Sequence, residues 1–109
     1  MLMVYGDPDE STLGWSDDHV TFGKCLAASG ELVSCEGLAD PVNATSVHRR
    51  PDGAVVTGGG SPRDTVLIGY YLIDCDGFER AVDLGGRIPG SGSSTIEIRP
   101  VMDVAGLEM

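Results

Sequence analysis

Short apolar runs closed by turn residues account for most of the hydrophobic positions, and two longer segments repeat apolar residues every three or four positions. Short or alternating apolar runs predict β-strands, whereas the longer spacing predicts amphipathic helices. Strands are therefore predicted over residues 2–5, 31–35, 44–50, 54–57, 66–74 and 95–102. Helices are predicted over residues 17–29 and from just after Asp76 to about residue 87.

Both predicted helices carry boundary signals. Ser16 is a typical N-cap, two aspartates follow it where the helix dipole favours negative charge, and Gly30 ends the helix. Asp76 and Glu79 have the spacing of a capping box at the start of the second helix. The spacing predicts one buried stripe on each helix. These stripes consist of Trp15, His19, Phe22 and Leu26 on the first helix, and Phe78, Ala81, Val82, Leu84 and Ile88 on the second.

The strand over 66–74 contains a continuous apolar and aromatic run, which is typical of a central strand. Its neighbouring tyrosines, Tyr70 and Tyr71, project to opposite faces, so one can face the helices and the other a partner subunit. Residues 44–50 and 54–57 flank a Pro-Asp-Gly turn and predict a β-hairpin with Arg49 and Arg50 near its tip. Three glycines at 58–60 predict a flexible loop, which we interpret as a pocket rim.

The element order predicts an α+β fold: a split βαβ plan with an added β-hairpin and two helices on one face of an antiparallel sheet. The other face would be bare unless a second subunit covered it, which predicts a homodimer. A length of 109 residues allows a single domain, predicted over 1–102, with a loosely held tail over 103–109.

Composition excludes several classes of function. Seven basic and seventeen acidic residues give a net charge of −10, which disfavours nucleic acid and anionic membranes as partners. The longest apolar runs are too short for a membrane span or a signal peptide, so a soluble cytoplasmic protein is predicted. The three cysteines fit neither a disulfide framework nor a zinc site and are predicted to be small core residues. The sequence contains no motif for a metal or another cofactor.

Several segments carry a resemblance to a known family. These are LIGYYLID at 67–74, RIP at 87–89, IEIRPVM at 96–102, MVYGD at 3–7 and SCEGL at 34–38. Together they resemble the YCII-related proteins, the last two in the DGPF-domain branch. The resemblance implies a ferredoxin-like subunit that pairs into a dimeric α/β barrel, with a pocket between helix and sheet. The DGPF motif itself is missing, because the chain reads GGGS at 58–61 in its place.

A second resemblance is to the founding YCII branch. Its pattern of His, aromatic, Lys, Leu and Gly is matched by His19, Phe22, Lys24, Leu26 and Gly30. The resemblance implies that the histidine works with an aspartate beyond the second strand, and Asp40 is the nearest candidate.

The residue types give the same candidates chemical roles and competing structural ones. An imidazole titrates close to neutral pH, so His19 could act as a general acid or base, or be a buried histidine satisfied by the backbone. Asp40 could orient it or organise the turn before Pro41. Glu36 could line the same pocket or be a solvated edge carboxylate. The predicted substrate contacts are Glu36, Trp15, Phe22, Tyr70 and Arg49.

These substrate contacts also have plainer alternatives. For the aromatic residues the alternative is packing. The alternative for Arg49, which with His48 and Arg50 could contact an anion, is a solvated turn.

Two functions follow. The first is a small cofactor-independent enzyme in which His19 moves a proton on a small cyclic or carbonyl metabolite, in a lyase, isomerase or elimination reaction. The second is a non-catalytic small-molecule-binding or regulatory accessory protein. The family resemblance includes proteins that accompany extracytoplasmic-function sigma factors, and the acidic charge here favours a basic protein partner over DNA.

Overall fold

The predicted order of strands and helices is confirmed in a computed structural model, which describes residues 1–7, 14–58, 65–90 and 94–102, the side chains of 55–58 excepted. The elements within these ranges are β1 (Leu2–Gly6), α1 (Asp17–Ala28), β2 (Leu32–Gly37), β3 (Thr45–Arg50), β4 (Gly53–Gly58), β5 (Val66–Ile73), α2 (Phe78–Arg87) and β6 (Thr95–Ile98). A 3-10 turn, Pro41–Asn43, joins β2 to β3.

Four of the strands form an open antiparallel sheet in the order β2-β5-β1-β6. The remaining two, β3 and β4, pair only with each other in the described sheets and form the predicted hairpin. β5 therefore lies between two strands, as its apolar run predicts, although helices cover only one of its faces.

Cross-strand register shows which residues share the helix-covered face. On β1, Leu2 lies opposite Tyr71 of β5 and Ile98 of β6. Gly85 of α2 lies close to Ile98: a Cβ placed on this glycine would be 3.8 Å from the Ile98 side chain. A Cβ on Gly23 of α1 would likewise lie 3.8 Å from the ring of Tyr71. Both helices thus pack on the same face of the sheet, as predicted.

A bulge in β5 adds a residue to this core. Val4 pairs with Gly69 and Tyr5 pairs with Leu67, so Ile68 is the extra residue of a β-bulge. Ile68 is buried, which a strict alternation along β5 does not predict. The buried cluster consists of Leu2, Val4, Leu26, Ile68, Tyr71 and Leu84.

The start of α2 differs from the sequence prediction. Gly77, not Asp76, is the N-cap, at a φ of 130° that favours glycine, and no side chain caps the helix. This shift puts Phe78 in the first position of the helix, where 72 % of it is exposed, and Val82 is exposed as well. The predicted apolar face is therefore wrong at these two residues.

Two smaller predictions are also corrected. The last strand ends at Ile98 and does not run to 102, since Pro100 has no amide hydrogen to donate to a neighbouring strand. Cys25 is exposed on α1, whereas Cys35 and Cys75 are partly buried, and all three thiols are free.

The opposite face of the sheet carries several half-buried apolar and aromatic side chains. By alternation along the strands, these are Met3, Tyr5, Leu67, Tyr70 and Leu72. Neither described helix covers them. Within the described ranges, no helix combines the length and apolarity needed to cross a membrane.

Candidate functional site

His19 lies in the first turn of α1 and only 4 % of it is exposed. The backbone N–H of Ser16 donates to its Nδ1 over 3.1 Å, and the Ser16 hydroxyl lies 2.9 Å from the same atom. Because a backbone N–H can only donate, Nδ1 must carry a lone pair. In the neutral ring the proton is therefore on Nε2, and the N-cap fixes this tautomer.

The other ring nitrogen is buried and has no hydrogen bond within 3.5 Å among the described residues, although the Pro89 backbone carbonyl lies close enough to favour the protonated ring. Burial lowers the pKa of His19 below its usual value of 6.5, while the Pro89 backbone carbonyl and the Asp18 carboxylate act in the opposite direction without outweighing it. At neutral pH the ring is consequently neutral, with an N–H donor at Nε2 that can also exchange its proton.

Aromatic rings hold His19 in place. The Trp15 indole stacks on the imidazole with centroids 4.6 Å apart and planes at 19°, and it lies 5.0 Å from the Tyr71 ring. The Tyr71 hydroxyl donates to the backbone carbonyl of His19 over 3.0 Å. Phe22 packs edge-on against Tyr71 with centroids 5.3 Å apart. Three predicted residues thus meet around Tyr71, a residue that connects the helix to the sheet.

A pair of glycines makes room for the Trp15 ring. Gly37 of β2 lies opposite Gly69 of β5, and a Cβ on either residue would overlap the indole. The ring therefore rests directly on strand backbone. This close approach explains why side chains are absent at two facing positions of adjacent strands.

Beside Trp15, an open cleft of about 640 Å³ lies between α1 and β2. Its lining is mainly apolar and consists of Trp15, Val20, Gly23, Lys24, Ala27, Leu32, Cys35, Glu36, Gly37, Leu38 and Ala39. His19 does not line this cleft, because Trp15 lies between the two.

The two charged residues that line the cleft, Lys24 and Glu36, differ in where their side chains project. Glu36 alternates with Cys35 and Gly37 and lies opposite Tyr70, so its side chain projects to the other face of the sheet. Among the described residues that line the cleft, only Lys24 then contributes a charged side chain to its wall. Lys24 has no ion pair with the described residues.

The remaining predicted site residues lie apart from His19. Asp40 is exposed and accepts a hydrogen bond from the Val42 backbone N–H over 2.9 Å, the turn-forming alternative for this residue. Tyr70 projects from the sheet face opposite the helices. Arg49 is exposed on the hairpin. In the described parts of the chain, no hydrogen bond joins His19 to a carboxylate. Of the predicted glycine loop, residues 59–60 lie outside the described ranges.

Sequence reasoning gave no site role to Ser16 or the facing glycines, and of the two neighbouring tyrosines it chose Tyr70, whereas Tyr71 is the one that faces the helices. Ser16 was predicted only as a helix cap, yet His19 stands three residues later, where a capping-box side chain reaches back to the N-cap amide. That spacing was a usable signal. The Gly37–Gly69 pair depends on strand register, which the local pattern does not determine.

Comparison with models of known protein families and with curated proteins finds no match for the chain. Among the described residues, no three of His, Cys, Asp and Glu are grouped as a metal site would require.

Proposed function

We propose that this chain is a small cofactor-independent enzyme in which His19 transfers a proton at Nε2 to or from a small cyclic or carbonyl compound. One observation carries the proposal: His19 is a buried imidazole whose Nδ1 accepts from the N-cap and whose Nε2 has no hydrogen bond within 3.5 Å among the described residues. Buried polar atoms are almost always hydrogen-bonded, so such an atom is a candidate for a ligand contact. A lyase, isomerase or elimination reaction fits a single proton carrier.

The fold supports the family part of the proposal. The strand order β2-β5-β1-β6, with helices following β1 and β5, supports a ferredoxin-like topology. The half-buried aromatic face that the helices leave bare is what a face-to-face homodimer would cover. We therefore propose membership of the YCII-related proteins and a dimeric α/β barrel. Three free thiols fit a cytoplasmic location, where thiols stay reduced.

A second candidate function is small-molecule binding without catalysis, including the role of a regulatory accessory protein. It is favoured by the position of Trp15, which separates His19 from the cleft, and by the use of Asp40 in a turn. In this case the cleft binds the ligand and His19 is a structural residue that positions Trp15.

Solvent-deuterium incorporation separates the two candidates. Wild type and His19→Gln would be incubated in D₂O with a panel of small lactones, ketones and phenols, and deuterium uptake measured by mass spectrometry. We expect uptake in the wild type and a loss of about 10²–10⁴-fold in His19→Gln, the range for one general acid or base. A folded His19→Gln protein with the full rate would overturn the enzyme proposal. Ligand binding without exchange in either protein would favour the second candidate.

The protonation of His19 can be followed independently of any substrate. NMR titration of the His19 imidazole should give a pKa below its usual value of 6.5. The imidazole then binds a proton more readily in the unfolded chain than in the folded one. The contribution of His19 to the free energy of unfolding is therefore complete above pH 6.5. It is lost as the pH falls from 6.5 to the pKa of His19 in the folded chain. An unshifted His19 pKa would contradict the buried, neutral imidazole.

A further inference from the structure

The cleft between α1 and β2 has a composition that defines a class of ligand. Its wall is mainly apolar, formed by side chains such as Trp15, Leu32 and Leu38, and its volume of about 640 Å³ is within the range of small-molecule sites. One wall is formed by the Trp15 indole, which is supported on strand backbone. Such a surface favours a planar or aliphatic body over a strongly hydrated one.

Among the described residues, the charged side chain that borders the cleft is positive. Lys24 borders the cleft with an ammonium group that has no ion pair among the described residues, whereas the Glu36 side chain leaves the sheet on the opposite face. In a chain of net charge −10, Lys24 is the only lysine. A lone cation beside an apolar wall complements a ligand with an apolar body and one anionic end.

We infer that the α1–β2 cleft binds an amphipathic monocarboxylate, whose apolar body packs on Trp15 and whose carboxylate pairs with Lys24. The inference rests on the proposed small-molecule site and names the chemistry of its ligand. It does not depend on proton transfer by His19, since Trp15 separates the imidazole from the cleft.

Three probes of equal body and different head group test the inference: 4-phenylbutyrate, 4-phenylbutanol and 4-phenylbutylamine. Trp15 is the only tryptophan of the chain and lines the cleft, so its fluorescence reports binding directly. We expect the carboxylate to bind about fivefold more tightly than the alcohol, as an exposed ion pair allows, and the amine to bind most weakly. Equal binding of the three probes, or binding of none, would overturn the inference.

Variants at Lys24 test whether this side chain causes the preference for a carboxylate. Lys24→Met keeps the length of the side chain and should remove the preference for carboxylate over alcohol without weakening the alcohol, while Lys24→Arg should retain the preference. Arg99→Met, at an exposed cation just after β6, is the matched control and should behave as the wild type. A preference that survives Lys24→Met, or is lost equally in Arg99→Met, would show that overall charge and not this cleft selects the ligand.

A second readout comes from isotope-labelled dimethylation of the single lysine. Its NMR signal should shift on addition of 4-phenylbutyrate and remain unchanged with the alcohol. The same measurements in His19→Gln separate this inference from the proposed enzyme. Loss of proton exchange with normal carboxylate binding retains both proposals, whereas a wild type that exchanges protons without this selectivity would overturn only the ligand class.

Discussion

The two helices cover the same face of one sheet but pack against it in different ways. Under α1, an imidazole, an indole and a phenol are packed together, with the indole resting on strand glycines. Under α2, Gly85 brings the helix onto the aliphatic side chains of Ile96 and Ile98. In the parts of the chain that the structure describes, only the α1 side combines a buried titratable group with an adjoining apolar cleft.

The polar groups where α1 and α2 pack on the sheet also differ in their hydrogen bonding. Arg80 of α2 forms two hydrogen bonds of 2.9 Å with the Glu31 carboxylate and a third with Asp83. On the α1 side, His19 Nε2 has no hydrogen bond among the described residues. On the α2 side, the contacts with the sheet are aliphatic and the charged groups of Arg80, Glu31 and Asp83 are paired. The α1 side instead contains a buried polar atom without a hydrogen bond within the described ranges. Such exceptions to ordinary packing are expected where a protein binds or transforms a ligand.

The largest expected effect is at Gly69, which supports the Trp15 ring. An alanine methyl there would overlap the indole and lie 2.6 Å from the Glu36 carbonyl oxygen, so backbone as well as side chain must move. We expect Gly69→Ala to lower the free energy of unfolding by about 2–3 kcal/mol and to displace Trp15. Urea denaturation followed by circular dichroism gives the first quantity, and the emission of Trp15 reports the second.

Gly85→Ala is the matched control on the α2 side. The added methyl would lie 3.5 Å from the Ile96 side chain, an ordinary contact, and alanine favours the helix over glycine by up to about 1 kcal/mol. This variant should be as stable as the wild type or more stable. If both alanines cost the same, the two helix–sheet junctions do not differ in the way described.

A smaller effect is expected when the hydrogen bond between α1 and the sheet is removed. Tyr71→Phe deletes the hydroxyl that donates to the His19 carbonyl and should cost about 1 kcal/mol, the usual net value of such a bond. Tyr70→Phe, on the opposite face and without a described hydrogen bond, should cost less. A cost for Tyr70→Phe as large as that for Tyr71→Phe would argue against the hydrogen bond as the cause.

The sequence predicts the order of strands and helices better than it predicts the candidate site. Strand and helix periodicities give the order of elements, and the three-to-four spacing correctly places His19 on the buried face of α1. These features are local. The exposure of Phe78 is missed because the buried residues of α2 are Ala81, Leu84 and Gly85, a narrower stripe than the apolar pattern predicts.

The site depends on contacts that the local pattern does not contain. Trp15 can approach the sheet only because two glycines, more than thirty residues apart, face each other in adjacent strands. The same register sends the Glu36 side chain away from the cleft, although a strand-end carboxylate predicts a pocket residue. Asp40 is used locally, since the hydrogen bond to Val42 needs no distant partner. Strand register therefore decides which predicted residues meet.

The smallest expected effect concerns the ion pair on the α2 side and appears only in acid. Hydrogen bonds from Arg80 and Ser29 lower the pKa of the Glu31 carboxyl from 4.5 to about 2. Between these values the unfolded chain binds a proton that the folded chain does not, so this contribution to stability is complete above pH 4.5 and is lost as the pH falls to about 2. Glu31→Gln should flatten that part of the stability curve, measured by urea denaturation at several pH values. Glu97→Gln, whose carboxylate lies 3.9 Å from Arg99 on the exposed last strand, should leave the curve unchanged. If both variants flatten it alike, the acid sensitivity comes from the overall charge, and the α2 junction has no ionic anchor of its own.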